Sequence, residues 1–454
     1  MTGQADGSFH FATALLPSGW ANSVRMEIRD GMISAILPAR SPGPEDERHA
    51  IALPGLPNLH SHAFQRGMAG LAEKRGPADD GFWTWRETMY RFIDRLTPDL
   101  LQAVAALAYI EMLEAGFTRV GEFHYLHHDR DGAPFGDPAT MSVAIIAAAA
   151  ESGIALTHLP VFYAHSGFGG QVPGEGQRRF IHSPDSFAAL LDRMAALIGT
   201  LPDAVLGIAP HSLRAVTPDE LALLTPLTQG PIHIHVAEQV REVEDCMAWS
   251  GARPVEWLLD NMPVDRRWCL VHATHMTPTE TQMMAASGAV AGLCPITEAN
   301  LGDGLFPAQQ FMQEGGIWGI GSDSNVLIDA TEELRLLEYG QRLFAHGRNI
   351  FSPPGGSTGS ALFRTALTGG AQALGASAGL ALGNAADFLT LNHDHPSLAG
   401  RTDDALLDGL IFVAGKSAID GVWRRGDRLV EGGRHVARDA IAARYRRALG
   451  VLLA

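Results

Sequence analysis

Four short stretches of this chain place imidazoles and carboxylates where they could share one ion. His60-Ser61-His62, His233-Ile234-His235-Val236-Ala237-Glu238, Val271-His272-Ala273 and Ser322-Asp323 each stand at the end of a short apolar run. Residues two apart on a strand point to the same side, so His60 and His62 face one way. Two such imidazoles are costly side by side when charged, and a shared divalent cation removes that cost. Zn²⁺ takes imidazole nitrogen well, although a His₃Asp set also suits iron and other divalent ions. His235 can complete a third imidazole ligand and Asp323 a carboxylate ligand. Glu238, just past its strand, is placed to shuttle protons to and from a metal-activated water, and Asp323 could also accept a proton. His272 would polarise that water or the substrate. His233 shares the face of His235 but lies deeper, and its role is open between the site and the core. An open position on such a centre carries water with its pKa lowered towards about 7, so the expected chemistry is hydrolytic attack at an sp² carbon.

Eight apolar runs must position these groups: 53–59, 118–123, 154–162, 205–209, 231–236, 268–271, 289–293 and 317–320. Helical patterns separate most of them, over 98–115, 141–152, 184–198, 218–227 and 239–261. Alternating β and α implies a parallel sheet, and eight strands imply a closed α/β barrel of the TIM type, a (β/α)₈ fold. Catalytic groups of such barrels sit at the carboxyl ends of the strands, which is where these histidines and acids fall, together with Glu122, His124 and His211. Outside the barrel, Asp30-Gly31 and Gly426-Asp427 read as hairpin turns. A final amphipathic helix is expected from about Arg438. The reading is a small β-sandwich-like domain built from both chain termini (1–53 plus 385–454) on a barrel spanning 54–384.

Of the 454 residues, 46% are hydrophobic, so a large core is affordable and disorder is excluded for most of the chain. A net charge of −16 argues against nucleic acid or an anionic membrane as partner. No apolar run approaches the roughly 18 residues that span a bilayer. The first cation is Arg25, so no basic signal-peptide start is read and a cytoplasmic setting is expected. Cys246, Cys269 and Cys294 are too scattered for a disulfide framework or a metal knuckle. Gly355-Gly356-Ser357-Thr358-Gly359 matches G-x-S-x-G but follows Pro353-Pro354 rather than a strand, which disfavours a serine nucleophile. The glycine-rich 167–176 segment reads as a loop over the barrel mouth, and His124, His127 and His128 as loop residues, solvated or supporting.

Pro57-Asn58-Leu59-His60-Ser61-His62, the His-x-x-Glu at 235 and 238, His272 and Ser322-Asp323 resemble the mononuclear deaminases of the amidohydrolase superfamily. Cys294-Pro295 through Asn300-Leu301-Gly302 looks like the strand-seven signature of that branch. Residues 370–375 and 383–387 look like its exit from the barrel, with Asn384 where lysine is commoner. Within the superfamily, 58–70, 82–90, 122–128 and 211–214 resemble the formimidoylglutamate deiminase family. That resemblance implies hydrolysis of N-formimidoyl-L-glutamate to N-formyl-L-glutamate and ammonia, a step of histidine degradation. It implies Zn²⁺ on His60, His62, His235 and Asp323, with protons handled by Glu238, His272 and Asp323. It implies substrate contacts from Gln65, Arg86, Tyr125, His211 and Arg214, and a homodimer, the commonest soluble oligomer. Two-metal barrels of this superfamily often use a carboxylated lysine. Lys74 and Lys416 are the only lysines here, which favours one metal and leaves a bridge through Glu122 open. The substrate's two carboxylates need local cations on so acidic a protein, and arginine binds carboxylates bidentately, which suits Arg86 and Arg214. The competing readings are a deaminase of a purine or other ring, a metal-dependent binding protein without turnover, and a Ser357 hydrolase.

Overall fold

The computed structural model describes residues 6–75 and 81–454. Eight parallel barrel strands run in chain order: Leu56–Ser61, Phe117–His124, Ala155–Phe162, the split fourth strand Val205–Leu206 with Ala209–Pro210, Ile232–Val236, Trp268–His272, Val290–Leu293 and Ile317–Ile320. Single bridges complete the circle, Ile208 to Ile232 between the fourth and fifth strands and Ser61 to Asp323 between the first and eighth. Most strand residues are fully buried, because barrel strands are covered on both faces and so read as continuous apolar runs. Four of the covering helices start with one device, a Ser or Thr N-cap followed by proline: Thr97-Pro98, Ser183-Pro184, Thr217-Pro218 and Thr277-Pro278. The hydroxyl accepts an orphan N–H and the proline needs no bond of its own there.

Both chain termini meet in one eight-stranded sheet. Its order is Arg434–His435, Asp427–Glu431, Ile419–Arg424, Phe388–Leu391, Glu47–Pro54, Gly7–Leu16, Gly19–Arg29 and Met32–Leu37. Phe9, Phe11, Val24, Met26, Phe388 and Trp423 form its own small core, with Phe388 stacked on Trp423 at 4.7 Å between centroids. Asp30 and Gly31 both have positive φ, 50° and 74°, the mirror-image turn that matches strand twist. The closing helix Arg438–Leu453 lies on barrel helix Pro98–Glu114, tied by Arg438 to Glu111 and Glu114. No described helix is long and apolar enough to cross a membrane.

Four expectations shift. The run 53–59 is two strands, one ending the terminal sheet at Pro54 and one opening the barrel at Leu56, parted by Gly55. A Cβ on Gly55 would lie 2.2 Å from the Thr118 side chain. The run 205–209 breaks at Gly207, where a Cβ would meet the Pro231 carbonyl at 2.4 Å. The helix expected over 239–261 is two, Val240–Ser250 and Pro254–Asn261, separated by Gly251 at φ 77° and by Pro254. The second hairpin turns on Arg425 and Gly426, and Asp427 already belongs to the returning strand.

Helix Thr358–Ala373 packs directly on the eighth strand. A Cβ on Gly369 would stand 1.9 Å from the Trp318 carbonyl oxygen, a backbone atom with no room to retreat. Gly369→Ala is therefore expected to cost about 1–3 kcal/mol or more, as overpacked cores do, read as a lower thermal midpoint. An unchanged midpoint would show that the helix and strand can part.

Candidate active site

The strand ends deliver their side chains to one point. His60 Nε2 lies 3.0 Å from His235 Nε2 and 3.5 Å from Asp323 Oδ1, and His62 Nε2 lies 3.3 Å from the same oxygen. Donors on a tetrahedral ion with bonds of about 2.0–2.1 Å stand about 3.3 Å apart. The Nδ1–H of His62 donates to the Phe123 carbonyl at 2.9 Å, which leaves Nε2 as a bare lone pair aimed at the cluster. Burial pushes the His62 imidazole down to about 3 and lowers His60 and His235 as well. Against the upward push of burial on Asp323, its bond to His60 and the nearby imidazoles hold the carboxyl below its usual range. Three imidazoles disposed to be neutral thus form a group that could hold a metal ion, with the Asp323 carboxylate beside them, a donor set that fits a divalent cation.

A buried polar frame holds these ligands. The Asn58 amide donates to Ser322 Oγ at 2.7 Å and accepts from the Ser322 N–H at 3.0 Å. Asn325 accepts from Ser322 Oγ and donates to Ser61 Oγ and to the carbonyls of His62 and Asp323. Ala237, His272, Ala273, Asp323 and Asn325 all have positive φ, so backbone strain collects at the strand ends.

Beside the donor set lies a titrating group. His272 Nε2 is 3.8 Å from Glu238 and 3.7 Å from Asp323, and its Nδ1 is 3.3 Å from Glu298. Burial alone would discharge this ring, but Glu238, Glu298 and Asp323 raise it to about 10. Burial raises the Glu238 carboxyl to about 7, partly offset by His272. Two further acids were not singled out by the sequence reading. Glu298 accepts the Cys294 N–H at 2.9 Å, which fixes it against His272. Asp303 is buried, accepts from the Gln239 amide, and has a carboxylate oxygen within 4.8 Å of the Glu238 and His272 polar atoms. Burial and Glu238 push its carboxyl up to about 9. Its sequence setting between Gly302 and Gly304 reads only as a turn, and both glycines have positive φ in the structure.

Above these groups opens a small cavity. Gln65, Arg86, Tyr125, His211 and Arg214 all line it, as do Glu238, His272 and Asp323. The Gln65 amide donates to the Tyr125 hydroxyl at 2.9 Å. His211 packs between Tyr163 and His235, at 4.6 and 4.9 Å. Arg214 is buried, its Nε has no hydrogen-bond partner, and the nearest carboxylate is Glu242 at 3.9 Å.

The profile of the amidohydrolase family matches residues 51–429, and that of the formimidoylglutamate deiminase HutF N-terminal domain matches 8–50. A formimidoylglutamate deiminase from Pseudomonas aeruginosa is 51% identical over 447 residues, covering 97% of this chain and 98% of that protein. The chain belongs to the amidohydrolase family and, within it, to the formimidoylglutamate deiminases. An amidohydrolase crystal structure from Brucella melitensis superposes with a TM-score of 0.96 at 55% identity, covering 99% of this chain and all of that one. An 8-oxoguanine deaminase from Pseudomonas aeruginosa is 26% identical, covering 90% of this chain and 89% of its own. A Xanthomonas campestris adenosine deaminase crystallised with zinc shares the fold, with a TM-score of 0.82 at 21% identity over 99% of both chains.

Not every polar residue on the strands of this amidohydrolase reaches the site. Phe123 packs against His60 and His235, so its neighbours Glu122 and His124 point the other way. Glu122 accepts the Ala63 N–H at 2.8 Å, and among the described residues it joins no group that could hold a metal. His233 Nε2 donates to the Ala373 carbonyl at 2.7 Å, a structural bond. Ser357 caps helix Thr358–Ala373 and donates to Asp408, away from any nucleophile geometry. His124 and His127 are buried rather than solvated, and His128 is half-buried. With His158 and His182 they form a chain of rings 4.6–5.6 Å apart behind the second and third strands.

That cluster makes stability depend on pH. Burial holds both His124 and His182 down to about 3, whereas the unfolded rings titrate near about 6.5. The folded state therefore binds fewer protons between these values. Its stability is complete above pH 6.5 and is lost as pH falls towards 3. The two rings should together cost about 2–3 kcal/mol per pH unit below about pH 6, measured by denaturant unfolding across pH. Replacing both with glutamine should flatten the slope, and an unaltered slope would remove the cluster as its cause.

Proposed function

We propose that His60, His62, His235 and Asp323 hold one Zn²⁺, and that Arg86 and Arg214 bind the two carboxylates of N-formimidoyl-L-glutamate above it. The observation that carries this reading is the buried Arg214, whose ion pair to Glu242 is long at 3.9 Å, in the same cavity as His62, His235 and Asp323 of the donor set. A cation held dry and short of an anion awaits one from the ligand. The reaction is hydrolytic deimination, a step of histidine degradation: HN=CH–NH–R and water give O=CH–NH–R and ammonia. When bound, the metal supplies a water acidic enough to attack near neutral pH. Glu238, whose carboxyl sits near 7, takes a proton from that water and returns one to the departing nitrogen. His272, kept cationic by its acids, donates to the oxygen as it becomes bound to carbon. Asp323 accepts the remaining proton as the carbonyl forms, and this second proton passes by way of Glu238 to the same nitrogen, which leaves as ammonia. Tyr125, held by Gln65, and His211 orient the amidine between the carboxylate clamp and the metal donors. A cytoplasmic homodimer goes with this reading, and light scattering tests the dimer.

Metal-replete protein is expected to release ammonia from N-formimidoyl-L-glutamate and to stop when chelated. Glu238→Gln should lower kcat by about 10²–10⁴ with little change in KM. Arg214→Ala should raise KM by about 10–100-fold, the worth of a charged hydrogen bond. Ammonia from guanine-like rings and none from the linear amidine would transfer the site to the ring deaminases.

A further inference from the structure

Three guanidiniums from three elements gather on one indole at the rim of the cavity. Trp83 and Arg86 belong to helix Phe82–Ile93, Arg214 follows the fourth strand, and Arg241 lies in the first turn of helix Val240–Ser250. Their central carbons stand 4.5 Å (Arg86), 5.9 Å (Arg214) and 4.9 Å (Arg241) from the Trp83 ring centroid. Three like charges around one ring repel, and the ion pairs that oppose this are few and long. Arg214 is 3.9 Å from Glu242, Arg241 is 3.6 Å from Asp245, and Arg86 has no ion pair among the described residues. The attraction that opposes the repulsion is the electron-rich face of the indole, worth most where water is partly excluded. Phe82 meets Trp83 edge-on at 5.1 Å, which limits the ring's freedom to turn.

The three cations are also graded in depth. The Arg214 side chain is 8% exposed and that of Arg241 is 65% exposed, with Arg86 between them. A dicarboxylate approaching a chain of net charge −16 is repelled at long range, so a local cationic track leading inward has a physical purpose. We propose that Trp83 is a positioning residue that holds Arg86 and Arg214 in their carboxylate-binding poses, and that Arg241 is an outer guanidinium on the same ring that captures the incoming dicarboxylate. This rests on the substrate reading given above and adds two residues and an order of engagement to it. The dicarboxylate meets Arg241 first, then passes to Arg86 and Arg214, and no bond is made or broken in the transfer.

The test uses the metal-loaded protein and two probes, N-formyl-L-glutamate and glutarate, titrated by calorimetry alongside steady-state kinetics. Trp83→Leu should weaken binding of both probes by about 10-fold and raise KM alike, the loss falling on KM rather than kcat. Trp83→Phe, which keeps a ring face, should recover most of the binding. Arg241→Ala, at an exposed position that leaves folding intact, should lower kcat/KM by about 3–10-fold at low salt and flatten its decline with added NaCl. Trp83→Leu binding both probes like the wild type would overturn the positioning role. Arg241→Ala keeping the wild-type salt slope would overturn the capture role. Wild-type protein that binds neither probe would instead defeat the dicarboxylate reading itself, so the two failures are told apart by the wild type alone.

Discussion

Everything at the mouth of this barrel depends on bringing three imidazoles together with one carboxylate beside them: His60 stands 3.0 Å from His235, and Asp323 stands 3.5 Å from His60 and 3.3 Å from His62. That convergence and the closing of the barrel are one event. The Asp323 N–H donates to the His60 carbonyl at 2.9 Å, and the His62 N–H donates to the Asp323 carbonyl at 2.9 Å. The seam between the first and last strands is therefore made by the backbones of His60, His62 and Asp323 themselves. A register slip of one residue would turn His60 and His62 away from the axis together. This explains why Asn58, Ser322 and Asn325 are polar inside an apolar core. Buried polar groups are expensive unless fully bonded, and this set is bonded to itself and to the seam it fixes.

Residue type alone does not decide role here. Four histidines of the barrel have three fates. His62 and His235 are stripped of charge by burial, His233 is spent on the Ala373 carbonyl, and His272 is kept charged by the acids around it. The carboxyls divide in the same way. Asp323 is held ionised by the imidazoles it faces, while Glu238 and Asp303 are pushed upwards by burial. Groups whose environments drive their protonation apart are the ones able to exchange protons near neutral pH.

The strand-end residues were legible in the sequence because two local facts coincide in them, a ligand-type side chain and the end of an apolar run. That Arg86 and Arg214 line the cavity was legible only through motif resemblance, since nothing in their spacing tells a cavity residue from a surface ion pair. Glu298, Asp303 and Trp83 were not legible as site residues. Each matters through a neighbour more than twenty residues away in the chain, which periodicity does not see. The strand breaks at Gly55 and Gly207 were hidden for a related reason: a buried strand and the buried connection beside it have the same apolar composition, and what forbids a side chain there is Thr118 or Pro231 across the barrel. His124 and His127 read in the sequence as loop residues, solvated or supporting; His124 instead ends the second strand, and His127 packs inward against His182.

The two ends of the barrel carry opposite burdens. At the end away from the mouth, Arg119 and Arg424 share Asp203 at 3.0 and 2.9 Å, and Arg424 also binds Asp387. This network joins the start of the second strand, the turn before the fourth and the terminal sheet. Buried ion pairs add little net stability, because desolvation offsets attraction, but a mispaired one is severely penalised. Such a network therefore specifies how the sheet seats on the barrel more than it strengthens the seat. At the mouth the charges stay short of full compensation: Arg214 lacks a close anion, and Glu238 lies beside other acids. A fold that spends its satisfied ion pairs at one end is free to leave the other incomplete, and under the function proposed above a dicarboxylate amidine and a divalent cation complete it.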